Sequence, residues 1–188
     1  MKKLFLILSM AVGLLSCQNK EAERAKKEQL IISRSDSLTT LVQQEIMKNL
    51  MQAIEKGGPE YAVDFCHAEA IPLTNAAVEN MQVFVQRISD KNRNPDNDLK
   101  TKTDKEVFEH FTTDEAAKDT LILENKQYVY YKRINLAMPT CLKCHGSVKD
   151  IEPGILAKLE AHYPNDKAKD YELHELRGLW KLTYKQEE

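Results

Sequence analysis

The chain has no excess of positive charge: 27 Lys and Arg stand against 29 Asp and Glu in 188 residues, a formal net charge of -2. Nothing in that balance favours nucleic acid or an anionic membrane surface as a partner. The patterns of common hydrolytic and phosphate chemistry are missing too, with no Gly-rich phosphate loop, no Gly-x-Ser-x-Gly and no His-Glu-x-x-His. Internal repeats and low-complexity segments are absent. A chain of 188 residues has room for one domain with a hydrophobic core and is too short for two ordinary ones.

The apolar run that stands out lies at the start. Met1-Lys2-Lys3 supplies a positive end and Leu4 to Leu15 is an almost unbroken apolar stretch, the pattern of a signal peptide. As a helix this run does not comfortably span a bilayer core of about 30 Å. It ends at Leu14-Leu15-Ser16-Cys17, where a small residue directly precedes a cysteine as in a bacterial lipobox. In precursors of that class the thiol is lipidated and the chain is cut before it, so residues 1–16 are expected to be lost and Cys17 to carry the membrane anchor. Gln18 rather than Asp follows the cysteine, which favours the outer over the inner membrane by the sorting habit of such lipoproteins. The expected location is the bacterial cell envelope, facing the periplasm. Residues 17–29 read as a polar, lipidated tether, and residues 30–188 as the folded domain.

Between Leu30 and Ile54 apolar residues recur at spacings of three and four until Gly57-Gly58-Pro59, which predicts one long amphipathic helix. Pro59 suits the first turn of a second helix, with Ala62, Phe65, Cys66 and Glu69 or Ala70 facing inward and an end near Ile71-Pro72. A third short helix is expected over 73–80. Val83, Val85 and Ile88 alternate as in a strand, residues 90–99 read as a loop, and Thr103 to Phe111 as a short helix. Leu121 to Leu123 and Tyr128 to Leu136 flank Glu124-Asn125-Lys126-Gln127, the pattern of a hairpin. A helix near Pro153 to His162 and a strand from Gly178 to Tyr184 complete an α+β domain, helices first and an antiparallel sheet after them.

Cys141-Leu142-Lys143-Cys144-His145 is the Cys-x-x-Cys-His pattern that attaches haem c. Two intervening residues bring both sulfurs to one edge of the macrocycle, and the adjacent imidazole reaches the iron. A zinc half-site needs a second Cys or His pair at matching spacing, which His162 and His174 do not supply convincingly. A thioredoxin-like redox pair normally opens a helix after a βαβ strand. Export fits haem c, which is assembled on the outer face of the bacterial inner membrane. The expected cofactor is one covalent haem c, held by Cys141 and Cys144 with His145 as an axial ligand. For the other axial position Cys66, His67, Met81, Met138, His110, His162 and His174 are candidates; Cys66 is the only cysteine left without a task.

The sequence resembles the single-haem c-type cytochromes with a PAS-like fold, a group found as extracytoplasmic sensor domains of bacterial signalling proteins. The resemblance rests on Ala62-Val63-Asp64-Phe65-Cys66, Val85-Gln86-Arg87-Ile88-Ser89, Arg93-Asn94-Pro95-Asp96-Asn97, Cys141-Leu142-Lys143-Cys144-His145-Gly146, Tyr163-Pro164-Asn165-Asp166-Lys167-Ala168 and Leu176-Arg177-Gly178. It implies a PAS-like antiparallel sheet with long N-terminal helices around the haem, and Cys66 as the second axial ligand. Thiolate coordination is chemically consistent, since iron stabilises the thiolate and the thiolate lowers the haem potential relative to a Met ligand. Arg87, Arg93 and Arg177 sit in the resembling segments and are candidates for pairing with the haem propionates. Tyr130, Tyr131 and Trp180 are candidates for packing on the macrocycle.

A haem domain at the envelope is expected to serve as a redox or ligand sensor or as an electron carrier, through a redox or signalling protein that the sequence does not identify. Homodimerisation through the long first helix is compatible with the pattern. The contrasting class is a peroxidase-type enzyme, which needs an open distal side and an acid–base residue; a bound Cys66 blocks it. The expectation is therefore a non-enzymatic protein.

Overall fold

A computed structural model describes residues 20–79 and 81–185. The expected signal peptide, Cys17 with the start of its tether, Asn80 at the end of the expected third helix, and residues 186–188 lie outside the described residues. No described helix is long and apolar enough to cross a membrane.

Helix α1 (Lys2–Ala76) is two helices in one run, because Gly57 (φ -150, ψ 16) and Gly58 (φ 76, ψ 179) leave helical geometry. Gly58 takes a positive φ that a side chain resists, and Pro59 opens the next turn, where its missing N–H would have had no helical partner. The break falls where the sequence predicts it. Pro72, however, does not end the second segment, which runs through it to Ala76, so the expected third helix is the tail of the second. Packing overrides the local breaker here: Val63 lies in a buried cluster with Ile151, Ile155 and Leu159, and buried Thr74 donates its hydroxyl to the Ala70 carbonyl at 2.8 Å. One lost backbone bond at Pro72 is a local defect beside that burial.

The sheet is formed by β1 (Val83–Ile88), β2 (Asp119–Glu124), β3 (Gln127–Asn135) and β4 (Leu176–Tyr184) in the order β1-β4-β3-β2. All its pairings are antiparallel. Asn125 and Lys126, at φ 50 and 65, form the two-residue turn between β2 and β3, whose left-handed backbone matches the strand twist. Side-chain alternation divides the core in two. Val83, Val85, Tyr130, Trp180 and Leu182 pack with Val42 and Ile46 of α1. Ile88, Val129, Tyr131 and Leu179 pack with Val107, Phe108 and Phe111 of α2 (Lys102–Thr113) on the other face. Tyr130 and Tyr131 are neighbours in β3 and therefore point to opposite faces, both fully buried. With Trp180 they are core aromatics between sheet and helices. The α+β expectation is borne out.

Two short helices close the domain. The expected helix α4 (Pro153–His162) is present, and it packs against α1. Helix α3 (Pro139–His145), which has no periodicity to announce it, contains the cysteine motif itself and starts with Pro139 in its first turn. In β4, Gly178 is fixed by close approach: a Cβ there would lie 2.6 Å from the Ile88 carbonyl oxygen of β1.

Candidate cofactor site

The fold brings α3, the segment of α1 that carries Cys66, α4 and the loop 163–171 to one place. Cys144 packs with Val63, Ile155 and Leu159, and Cys141 with Leu136, Ala168 and Tyr171. Cys66, Cys141 and Cys144 are free thiols, each half-buried. Burial pushes the Cys66 thiol up, against the pull of Arg87 and Arg93. Burial likewise raises Cys144, which also feels Arg93 and Cys66. Val63, three residues before Cys66, packs in the same cluster as Cys144, which brings the Cys66 segment to the motif although 75 positions separate Cys66 from Cys141 in sequence.

His145 presents one ring nitrogen to the protein: Nδ1 lies 2.8 Å from the Ala168 carbonyl oxygen. That acceptor requires Nδ1 to carry the proton, which leaves Nε2 with its lone pair free for a metal. Burial first, and then the charges of Arg93 and Arg177, hold the imidazole well below its ordinary pKa. The ring is therefore neutral at physiological pH, the state in which a histidine binds iron.

The three arginines converge on this place and do different work. Arg93 donates Nε to Asp166 at 3.1 Å and Nη2 to the carbonyls of Cys144 at 2.6 Å and Ala168 at 3.2 Å. Arg177 donates to Ser89 Oγ and to the Lys91 carbonyl, both at 3.2 Å, and lies over the Tyr171 ring. Arg87 lies over the Trp180 ring and forms no ion pair among the described residues. Burial, with the charges of Arg93 and Arg87, lowers Arg177. Among the described residues Arg93 pairs with a carboxylate, Asp166, and Arg87 and Arg177 form no such ion pair. A haem carries two propionates, and this unpaired positive charge beside Cys144 and His145 suits them. The residues present thus fit a c-type haem: two thiols on one helix, a neutral imidazole with an oriented Nε2, and cations for the carboxylates.

Among the other axial candidates Met81, Met138, His67, His110 and His174 are exposed. His67 stacks on His162 with ring centroids 4.3 Å apart. His162 Nε2 meets Asp64 at 2.8 Å, and Lys158 pairs with the same carboxylate. These bonds tie the Cys66 segment to α4. Asp64, Asp166 and Ala168 lie in the segments that carry the family resemblance, but their pairing with Lys158, His162, Arg93 and His145 across long sequence separations is not legible from those segments.

A family model for Tll0287-like proteins matches residues 18–184. The chain belongs to the Tll0287-like family. Its fold also matches the crystal structure of the cyanobacterial heme-protein Tll0287 with a TM-score of 0.61, at 20% sequence identity, over 82% of this chain and 97% of that one. A search of curated proteins gave no significant match. The family match spans α1 to β4 and takes in every residue of the site just described, so the Tll0287-like fold is the frame in which Cys66, Cys141, Cys144 and His145 meet.

Proposed function

We propose that this Tll0287-like protein is a c-type haem protein of the bacterial envelope, with one haem bound through Cys141 and Cys144, His145 as one axial ligand and Cys66 as the other. The observation that carries the reading is the His145 ring, whose Nδ1 faces the Ala168 carbonyl and whose Nε2 is left free next to two motif thiols. The solved relative described as a heme-protein supports it. Haem iron supplies reversible one-electron chemistry and an exchangeable axial position. The chain orients the imidazole, keeps it neutral, offers Arg87 and Arg177 to the propionates and brings Cys66 up on α1.

The way Cys66 is held supports a role in redox or ligand sensing. Its segment begins after the break in α1 at Gly57 and Gly58 and is tied to α4 by Asp64 with Lys158 and His162, groups 30% to 41% exposed. Ion pairs that open to water are weak, which suits a ligand that leaves; an electron carrier remains the companion reading. Lipid attachment at Cys17 holds the domain on the periplasmic side, preferably of the outer membrane, where a redox or signalling protein reads it. The test is haem staining of a denaturing gel. Wild type stains, Cys141→Ala with Cys144→Ala does not, and retention of full stain in the double variant overturns the reading.

A further inference from the structure

Arg93 and the His145 ring use the same acceptor. The Ala168 carbonyl receives the Nδ1 proton of His145 at 2.8 Å and an Nη2 proton of Arg93 at 3.2 Å. We propose that Arg93 is a positioning residue that tunes His145, and through it the haem iron, by polarising the Ala168 carbonyl, rather than a partner for a propionate.

This inference rests on the haem reading above and concerns residues that the chain itself supplies. Three of the five Arg93 N–H donors are engaged, and its charge is already paired with a carboxylate. Nε is spent on Asp166, whose side chain is 1% exposed, and Nη2 on the carbonyls of Cys144 and Ala168, while the Arg93 side chain is 14% exposed. Asp166 in turn accepts the Ala168 N–H at 2.8 Å. One guanidinium therefore fastens the helix that carries the motif to the loop that supplies the acceptor for His145. Two carbonyls and a carboxylate fix its plane, which a lysine cannot reproduce.

The electronic consequence follows from sharing. A carbonyl oxygen that already accepts from a cation holds less charge for a second donor, so the bond from His145 Nδ1 is weaker than one to an unshared carbonyl. A weaker bond at Nδ1 leaves less negative charge on the ring and makes Nε2 a poorer donor to a metal. Removing Arg93 releases the oxygen and strengthens the Nδ1 bond. The loop does not depend on Arg93 alone: Lys167 donates to the Asn92 carbonyl at 3.1 Å, Asp170 to that of Gly146 at 2.9 Å and Tyr171 to that of His145 at 3.0 Å.

The experiment is resonance Raman of the reduced holoprotein in a Cys66→Ala background, where the iron–histidine stretch is read directly. Arg93→Met and Arg93→Lys are compared with Lys143→Met, which removes an exposed charge from the motif helix and has no assigned role in the site. The expected result is an upward shift of the stretch in both Arg93 variants and none in Lys143→Met. Arg93→Lys keeps the charge, so a stretch that rises there reports the bond and not the loss of a cation. A stretch that is unchanged or lowered in the Arg93 variants, or raised equally in Lys143→Met, overturns the proposal. A parent protein without covalent haem overturns the functional reading instead. In that event the His145 Nδ1 nitrogen-15 shift of the parent chain against Arg93→Met decides the sharing of the carbonyl, and no difference refutes it.

Discussion

Replacing Asp104 with Asn tests the scaffold independently of the haem. Asp104 sits in the first turn of α2 with its side chain 1% exposed. It completes a capping box with Thr101, accepts the Tyr131 hydroxyl at 2.8 Å and pairs with Lys181 of β4 at 2.7 Å. Asn keeps the shape, an acceptor for Tyr131 and part of the cap, so the loss is concentrated in Lys181, which is 13% exposed and left without its carboxylate. Removing one partner of a buried pair costs about 3 kcal/mol at the lower end of the usual range. For a domain of this size that is a fall in Tm of roughly 6–12 °C. Burial raises the Asp104 pKa, but the bonds from Lys181 and Tyr131 outweigh it and the carboxyl ends below its ordinary value. A depressed folded-state pKa means that this stabilisation is full above the unfolded carboxylate pKa and is lost as pH falls through the lowered folded value. The gap between wild type and Asp104→Asn in thermal melts should therefore hold from pH 7 to pH 5 and shrink in acid below about pH 4. A gap under about 1 kcal/mol at pH 7 would refute the argument that a buried, uncompensated Lys181 dominates.

Cys66→Ala is expected to change a low-spin ferric spectrum with thiolate character into a high-spin one, or one with water or a neighbouring histidine, and to raise the reduction potential because an anionic donor to ferric iron is lost; identical electron paramagnetic resonance spectra for the two proteins would remove Cys66 from the iron. Cys17→Ala is expected to leave the precursor uncut and without acyl chains, read by detergent partitioning and mass spectrometry, and an intact, unacylated N-terminus in the wild type would end the lipoprotein reading.

The parts of the fold legible in the sequence are those where local chemistry and tertiary packing agree. Gly57-Gly58-Pro59 breaks a helix in any context, Asn125 tolerates the left-handed backbone of a two-residue turn, and Val83, Val85 and Ile88 alternate because one face of β1 packs on α1 and the other on α2. Pro72 misleads because burial of its segment outweighs one missing hydrogen bond. Helix α3 is invisible because its 7 residues are fewer than any periodicity needs. At the site, Cys141, Cys144 and His145 stand out because the motif has fixed spacing, whereas the pairing of Asp166 with Arg93 across 73 positions cannot be read from the two resembling segments that hold them. Arg87, Arg93 and Arg177 look alike in sequence. Their different surroundings, an indole for Arg87, a buried carboxylate for Arg93 and a hydroxyl with a carbonyl for Arg177, exist only once β1, β4 and the loops have met.

The two sides of the site are held by different physics. His145 is anchored by backbone carbonyls and by an ion pair whose members are 14% and 1% exposed, bonds that water and salt reach poorly. The Cys66 segment follows a glycine break in α1 and is tied to α4 by a carboxylate 41% exposed, with a lysine 37% exposed as one partner. Local opening in proteins begins where exposed polar bonds, and few apolar contacts, hold an element. Apolar contact also holds the segment, since Val63 is packed with Ile155 and Leu159. On the haem reading proposed above, one axial side would be firmly held and the other more easily released, the asymmetry that a redox or ligand sensor needs.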